Sequence, residues 1–441
     1  MSQGLRRLAM GMITVAAALA TSPALAQAPA MKIDAADTAW MIGATGLVLM
    51  MTIPGLALFY SGMVRKKNVL ATMAQSLAAT FLVSVLWALL AYSLTFTGSG
   101  RMIGSLSRVF LYGMGLNAIS PIAPTIPESL FMLYQMTFAV ITVALVAGSV
   151  ADRLRFSAFL LFSTLWLFIV YVPIAHAVWG GGFLQTFGTI DFAGGLVVHV
   201  NAGVAGLVAA MVIGKRRGYG HDNLAPFDLS LAVIGTGLLW VGWFGFNGGS
   251  ALTAGSRAAM AIVCTHLAAS TGAATWMAIE WKTRGRPSVL GMISGAVAGL
   301  GTITPASGFV TPMEAILIGL IAGSVCFWSC TWLKMKLGYD DSLDVFGVHG
   351  IGGLTGTLLA GVLAVGAVSA TPELPQGIGG LIEGNIHLVW AQLYGIVVTA
   401  LWSGIGTFVI LKIVGALVPL RVRAEDEIIG LDVSQHGEAL Q

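Results

Sequence analysis

Apolar stretches long enough to cross a membrane follow one another along almost the whole chain, separated by short polar loops. A hydrocarbon core about 30 Å thick requires about 20 predominantly apolar residues in a helix, and backbone in contact with lipid must satisfy its own hydrogen bonds. Only 9% of the 441 residues are charged and 57% are hydrophobic, unlike a soluble domain. We predict an all-α polytopic membrane protein with eleven transmembrane helices near residues 38–63, 69–97, 129–150, 156–178, 192–214, 228–248, 255–281, 288–303, 313–337, 344–367 and 386–419.

The basic residues of the loops predict how these helices are oriented. Clusters of Lys and Arg at 65–67, 215–217 and 282–286 fall in alternate loops, whereas the intervening loops carry scattered arginines. Loops rich in Lys and Arg remain in the cytoplasm. We therefore expect a multi-pass protein of the bacterial inner membrane, with its N-terminus outside and its C-terminus in the cytoplasm.

The two ends of the chain differ from the membrane domain. Residues 1–26 combine a basic start, a short apolar core and a small-residue sequence ending at Ala26, as is typical of a cleavable signal peptide. An uncleaved anchor helix is the alternative. The membrane domain is predicted at 27–420, and a polar cytoplasmic tail at 421–441.

Two of the histidines inside predicted spans stand out by their positions, since an imidazole there is costly unless it has a partner or a task. His199 and His349 each follow an aspartate, Asp191 and Asp341, by eight positions. At about 1.5 Å rise per residue, each histidine lies about 12 Å into its span. Because the two spans run in opposite directions, both imidazoles are predicted near the centre of the membrane, facing each other in a conduction pathway.

This symmetry predicts an inverted-topology repeat, in which spans 1–5 and 6–10 are the two halves and the eleventh span is an addition. Gly, Ala and Thr follow each histidine, and small residues permit close helix approach. For either histidine alone, a purely structural hydrogen bond between two helices is the alternative interpretation. The symmetric pair favours the pathway.

Several long motifs resemble the Amt/Mep/Rh ammonium transporter family, specifically its bacterial Amt branch. The most specific are RFSAFLLFSTLWLFIVYVPIAHAVWGGG, DFAGGLVVHVNAGVAGL, WVGWFGFNGGS and DDSLDVFGVHGIGGL, and the similarity extends from DTAWMIGATG to GLDVSQHGE. The resemblance implies a membrane-embedded homotrimer with a pore through each subunit. It also implies transport of ammonium and methylammonium rather than enzymatic catalysis, with no cofactor and no nucleic-acid partner.

The resemblance assigns an outer recruitment site for ammonium. Trp179 matches the tryptophan of that site, Phe138 an aromatic residue that shares it, and Ser250 its serine. Aromatic faces attract a desolvated cation by about 2 kcal/mol, and a serine oxygen can accept one of its N–H bonds. Asp191 matches an acidic residue needed near the site, for which we favour a helix-capping and electrostatic role over direct binding.

The resemblance also assigns a gate and a pore. Phe138 and Phe246 match two gate phenylalanines, His199 and His349 the twin histidines of the pore, and Trp243 a residue of its wall. An intact cation in an apolar bore meets a large desolvation cost, which ammonium avoids by losing a proton and potassium cannot avoid. Imidazoles offer both donors and acceptors to the neutral molecule. Both net ammonia flux and flux of ammonia together with the proton fit these residues.

The tail contains GLDVSQHGE, which resembles the regulatory C-terminal segment of the family. The resemblance implies that this segment packs beneath the pore and supports control by a PII-type signal protein. The chain ends in ALQ, without the aromatic ending frequent in relatives, and a solvated tail without a partner is the alternative.

Three other functions remain open at this point. A sensor would use the same outer site with little flux and report occupancy through the tail. A membrane enzyme would use Asp191, His199 and His349 as metal ligands, although no clustered His-x-x-x-His accompanies them, and we predict no metal site. A gas channel of the Rh kind is disfavoured by Trp179 and the VWGGG motif.

Overall fold

The computed structural model describes residues 31–372 and 374–440, and these fold mostly into helices. Ten of the helices are long and apolar enough to cross a membrane, and an eleventh apolar helix has 15 residues. The predicted signal peptide lies outside the described residues. In chain order the helices are α1 Ala35–Met63, α2 Lys66–Phe96, α3 Glu128–Ser149, α4 Phe156–Phe187, α5 Gly195–Ile213, α6 Leu229–Gly249, α7 Ser256–Arg284, α8 Val289–Ile303, α9 Pro312–Leu337, α10 Phe346–Leu363 and α11 Ile386–Leu417.

Each predicted span contains one of these helices, but α8 is shorter than a straight crossing requires. It begins at a side-chain cap, where Ser288 Oγ accepts from the backbone N–H of Gly291. It ends at Ile303, two residues before Pro305. Beyond it, residues 304–309 form turns in place of regular helix. The transmembrane character predicted for most of the chain is confirmed by the ten longer helices.

Polar side chains fix the beginnings of other helices as well. Asp34, Asp228 and Asn385 accept backbone N–H bonds at the starts of α1, α6 and α11. Each satisfies donors that the first helical turn leaves without a partner. At the other end of α7, Gly285 adopts the left-handed conformation, φ +78°, that terminates a helix without strain.

Helices α5 and α10 meet at the centre of the protein through small residues. A Cβ atom on Gly203 would overlap the backbone of Gly350, and one on Gly353 would lie 2.7 Å from the Cβ of His199. The expectation that small residues permit close approach is therefore confirmed at these contacts. Around this centre, α3 is largely buried, whereas α9 and α11 expose broad apolar faces.

The two ends of the helical bundle differ in charge. One end, called here the basic face, carries the loops 64–68, 150–155, 214–228 and 338–345, where Arg216 pairs with Asp340 at 2.8 Å. The opposite face carries a small antiparallel hairpin, β1 Ile119–Ser120 and β2 Ala123–Pro127, between α2 and α3.

The tail is folded against the basic face. It forms a short helix, α12 Ala424–Ile429, and a turn over Asp432–His436. Lys67 Nζ donates to the carbonyl oxygens of Glu427 and Ile428 at 2.9 and 2.6 Å. Asp432 Oδ1 accepts from the backbone N–H of Ala71 at 2.8 Å. The tail is therefore packed against the protein, whereas the alternative interpretation expected it to be surrounded by solvent.

Candidate functional site

The imidazoles of His199 and His349 lie side by side in the centre of the bundle. Their Nδ1 atoms are 3.3 Å apart, their ring centroids are 5.3 Å apart, and their planes differ by 13°. Both side chains are buried. The structure therefore brings together the two histidines that the sequence analysis paired.

The same local structure carries both histidines. His199 lies in a wide π-helical turn, Gly195–Val200, and His349 in a matching turn, Phe346–Gly350. Each wide turn is the first turn of its helix. Wide turns of this kind are frequent at functional sites. The two halves of the site thus repeat one backbone arrangement.

The short distance between the two Nδ1 atoms restricts how protons are arranged. When both rings are neutral, one Nδ1 carries a hydrogen and donates it to the other Nδ1. The donor ring then has an acceptor at Nε2, whereas its neighbour has an N–H there. His199 Nε2 is buried without a hydrogen-bond partner among the described residues. The pair can therefore offer one donor and one acceptor to a small polar molecule beside it.

Asp191 caps the turn that leads to His199. Burial raises the pKa of this carboxyl to about 6, while hydrogen bonds from the backbone act in the opposite direction. Helix N-termini favour such a carboxylate through their free N–H groups and dipole. The geometry supports the capping role that the sequence favoured. The two carboxylate oxygens of Asp191 accept four backbone N–H bonds, from Gly194 and Gly195 on Oδ1 and from Leu196 and Val197 on Oδ2, at 2.6–3.2 Å.

Asp341, the counterpart before His349, is only partly satisfied. Its Oδ2 accepts from the backbone N–H of Phe346 at 2.7 Å, whereas its Oδ1 is buried without a partner among the described residues. The carboxylate is fully buried, and burial raises its pKa to about 6. The two aspartates are therefore symmetric in sequence and unequal in hydrogen bonding.

A vestibule of about 180 Å³ opens near the opposite face and is called here the Trp179 vestibule; its walls include Gln135, Phe138, Trp179 and Ser250. The rings of Phe138 and Trp179 meet edge to face, with centroids 5.6 Å apart. Trp179 Nε1 donates to the backbone carbonyl of Asp191 at 2.8 Å. Ser250 Oγ donates to the carbonyl of Phe246 at 2.8 Å, which leaves its lone pairs available as acceptors.

Two phenylalanines close the bottom of this vestibule. The rings of Phe138 and Phe246 lie with their centroids 4.3 Å apart and their planes 33° apart, and both side chains are 1% exposed. Phe138 belongs to the vestibule wall, while Phe246 lines the cavity beneath. The ring pair therefore separates the two spaces.

Below the ring pair lies a narrow cavity lined by both histidines. Its volume is about 10 Å³, near the smallest space that holds one water molecule. Trp243 stacks on the imidazole of His199 at 5.6 Å and donates its indole N–H to Thr304 Oγ1 at 2.9 Å. The rest of the cavity lining is aliphatic and aromatic: Met51, Leu56, Phe59, Ile141, Leu145, Val198, Leu239, Phe246 and Val297.

On the basic face, a second vestibule of about 250 Å³ reaches the other side of His349 and is called here the Lys334 vestibule. Lys334 Nζ pairs with Asp344 Oδ1 at 2.7 Å, and Arg216 also contributes to the wall. Sequence reasoning did not single out Lys334 as a site residue. The available signal was a lysine ten positions before Asp344, which itself lies just before the helix of His349.

Tyr134 is a further residue of the site that sequence reasoning missed. Its hydroxyl lies 3.0 and 2.8 Å from the carbonyls of Gly245 and Phe246 and 3.3 Å from Ser250 Oγ. It thereby fixes the segment that carries both the gate ring and the serine. The available signal was a tyrosine one helical turn before Phe138.

The metal-site alternative has no support from the geometry. Within residues 31–372 and 374–440, no group of three His, Cys, Asp or Glu side chains is arranged to hold a metal ion. The Asp191 oxygens are occupied by backbone N–H groups, so this residue does not join the two histidines as a ligand.

Comparison with known proteins gives consistent matches along the chain. The family model described as Ammonium Transporter Family matches residues 39–440. An ammonium transporter of Bacillus subtilis is 49% identical over 91% of this chain and 97% of its own length, and one of Aquifex aeolicus is 45% identical over 98% of each. The crystal structure of Saccharomyces cerevisiae Mep2 superposes with a TM-score of 0.83 at 38% identity, covering 89% of this chain and 88% of that one. A structure titled Sensor Amt Protein gives 0.82 at 27% identity, with 91% and 98% covered.

Proposed function

This chain belongs to the Ammonium Transporter Family, and on that premise we propose that it carries ammonium across the bacterial inner membrane. One observation supports this most strongly. An aromatic vestibule with a serine acceptor leads through a ring pair to an apolar cavity, where the imidazoles of His199 and His349 lie side by side. This arrangement suits a cation that can lose a proton before it crosses.

Recruitment takes place in the Trp179 vestibule. The rings of Trp179 and Phe138 attract ammonium, or its analogue methylammonium, through their electron-rich faces. Ser250 Oγ accepts one N–H bond from the cation. Asp191 holds the site from behind, because its backbone carbonyl fixes the indole and its charge lies at the start of α5.

Deprotonation precedes passage through the gate formed by Phe138 and Phe246. The released proton passes either to water in the Trp179 vestibule or onward along the histidine pair, and current recorded together with internal pH distinguishes the two. Beyond these rings the cavity is too small and too apolar for a hydrated ion, and an unpaired charge in such surroundings is very costly. Neutral ammonia moves past the histidines by exchanging hydrogen bonds with their ring nitrogens. Trp243 forms the wall against which His199 is stacked. Potassium has no proton to release and is excluded.

The architecture that we propose has eleven spans, with α8 as the shortest, and consists of two inverted halves, α1–α5 and α6–α10, followed by α11. The repeated turns around the two histidines and the two preceding aspartates support the inverted relation. The basic face is cytoplasmic by the positive-inside rule, and three such subunits associate, each with its own pore. Residues 1–26 are removed as a signal peptide.

The tail has a regulatory role in this proposal. Its contacts with Lys67 and Ala71 place residues 424–436 against loops of the basic face. A cytoplasmic PII-type signal protein that binds there would contact both the tail and the entrance to the Lys334 vestibule. Binding would be read out as a change in transport rate.

A sensor is the second candidate function, favoured by the docked tail and by the likeness to a structure titled Sensor Amt Protein. A sensor would bind ammonium in the same vestibule and transmit its occupancy with little flux. The two candidates share a binding site and differ in turnover.

Ammonium pulses applied to proteoliposomes with purified protein, with current and internal pH recorded together, distinguish these functions. We expect saturable transport of ammonium and methylammonium and none of potassium. Ser250→Ala should raise the KM about fivefold, as expected for one lost hydrogen bond of about 1 kcal/mol. Ser324→Ala is the matched control, since this half-buried serine on α9 likewise donates to the carbonyl four residues before it, that of Leu320. Binding without transport would favour the sensor.

A further inference from the structure

A single buried amide on α11 links three separate segments near the Trp179 vestibule. Gln392 is fully buried, and its Oε1 accepts from the backbone N–H of Ile190 at 2.9 Å. Its Nε2 donates to the carbonyl of Ile190 at 2.8 Å and to the carbonyl of Thr357 at 3.0 Å. The amide thus binds the N–H and the C=O of Ile190, which lies in the segment before α5, and one backbone carbonyl of α10.

This pattern fixes the orientation of the backbone at Ile190. The amide of Gln392 pairs with the N–H and C=O of Ile190 as a neighbouring strand would, so both peptide groups that flank Ile190 are held in place. Buried backbone groups are costly to leave without partners. Thr357 belongs to the helix of His349, so the same side chain also sets the distance between the two halves.

The residue after Ile190 carries this constraint into the vestibule. The carbonyl of Asp191 accepts the indole N–H of Trp179, and the carboxylate of Asp191 caps α5. A rotation of the peptide between Ile190 and Asp191 would therefore displace the indole ring. We propose that Gln392 is a positioning residue for ammonium recruitment, acting through Asp191 on Trp179; this inference rests on the proposed function.

Packing around Gln392 restricts the same loop further. Thr189 Oγ1 donates to the carbonyl of Ala391 at 2.9 Å. A Cβ on Gly395 would lie 2.7 Å from Thr189 Cγ2 and 2.9 Å from Leu196 Cδ1, so the loop is in direct contact with α11. The loop cannot approach α11 more closely, and its hydrogen bonds to Gln392 and Ala391 prevent it from moving away.

The principal test is Gln392→Met, which retains the length of the side chain and removes all three hydrogen bonds. In proteoliposomes we expect the KM for ammonium to rise about three- to tenfold, part of the roughly thirtyfold that a desolvated cation–π contact contributes. The maximal current per reconstituted protein should stay within about twofold, because the pore itself is unchanged. A purely structural role would lower the maximal current and leave the KM at its native value.

Ser403→Ala is the matched control. Ser403 is also fully buried on α11 and donates to a backbone carbonyl of α5, that of Asn201, at 2.7 Å. Unlike Gln392, it makes no hydrogen bond to Ile190. Its KM should remain native. An equal rise in both variants would overturn the inference, since any lost bond between α11 and α5 would then suffice.

A double-mutant cycle tests whether the effect passes through the indole. Trp179→Phe keeps an aromatic ring and removes the N–H that bonds to Asp191. In that background Gln392→Met should add little further change in KM, and full additivity would contradict the proposed route.

Should Gln392→Met fail to fold, Thr189→Val replaces it, because this isosteric change removes the neighbouring bond to Ala391. It should raise the KM less than Gln392→Met would, and a native KM would overturn the inference. A native KM in Gln392→Met, alongside a raised KM in Trp179→Phe, would refute the inference alone. A native KM in both Trp179→Phe and Ser250→Ala would instead refute the recruitment site of the proposed function.

Discussion

His199 and His349 are separated by 150 positions in the chain, yet their Nδ1 atoms lie 3.3 Å apart. Glycine contacts between α5 and α10 make this possible, because a side chain on Gly203 would overlap the backbone of Gly350. At this distance the two neutral rings share one hydrogen between their Nδ1 atoms. In the proposed pathway, the unit that meets the substrate is therefore the pair of imidazoles.

The gate provides the first prediction. Replacing Phe246 by Leu removes the ring that packs on Phe138 at 4.3 Å and should let water enter the cavity below. A barrier lowered by about 1.4 kcal/mol would raise potassium current about tenfold, while ammonium current persists. Currents in potassium and ammonium gradients measure this. Phe244→Leu, on a ring that contacts His266 instead, should behave as native, and unchanged potassium exclusion in Phe246→Leu would contradict the gate.

The cap at Asp191 provides the second prediction. Asp191→Asn keeps the shape of the side chain but leaves an amide nitrogen facing backbone N–H groups that now lack an acceptor. Each unsatisfied buried group costs about 1–3 kcal/mol, so the melting temperature in detergent should fall clearly. Asp228→Asn is the control, because Asn is an equally good N-cap at the exposed start of α6. Equal melting temperatures for the two variants would contradict this account.

The ion pair between Arg216 and Asp340 predicts a dependence of stability on pH. Burial alone would raise the pKa of Asp340, but hydrogen bonds and charge from Arg216, with the charge of Arg153, outweigh burial and hold this pKa below its ordinary value. The contribution of this pair is therefore complete above the ordinary pKa of about 4 and is lost as the pH falls below it. Asp340→Asn should be less stable than the native protein at pH 7 and should lose less stability on acidification. Parallel curves of melting temperature against pH for the two proteins would exclude this contribution.

The docked tail provides a fourth prediction. Lys67→Ala removes two hydrogen bonds to the carbonyls of Glu427 and Ile428 and should release the tail from the basic face. Limited proteolysis should then cleave near residues 424–436 several times faster, as expected when local opening becomes easier. Lys66→Ala, next to it but without these bonds, is the control. Equal cleavage rates would show that Lys67 does not hold the tail.

The helices and the histidine pair could be predicted because their signals are local. Apolar length marks the spans, and the spacing of Asp191 to His199 recurs between Asp341 and His349. The predicted span at 288–303 coincides with α8, Val289–Ile303, the shortest of the eleven apolar helices. The unequal hydrogen bonding of the two aspartates could not be predicted, because it depends on the backbone of each turn.

Other features depend on partners that are distant in sequence. Gln392 and Ile190 are 202 positions apart, and Tyr134 reaches the carbonyl of Phe246 across 112 positions. The residues next to each of them in the sequence do not identify these distant partners. Both residues hold backbone segments next to the Trp179 vestibule. The sequence motifs identified residues that line the vestibule but not these supporting contacts.

The twin histidines remain the central claim, and transport by His199→Ala and His349→Ala tests it most directly. Currents and pH changes are recorded on proteoliposomes given ammonium, methylammonium or potassium, with His266→Ala as a control whose ring contacts Trp240 and Phe244. We predict that each pore variant loses ammonium flux or its discrimination against potassium, because the shared hydrogen bond is broken, while His266→Ala behaves as native. Native flux with native discrimination in both pore variants would contradict passage of deprotonated ammonium along this pair.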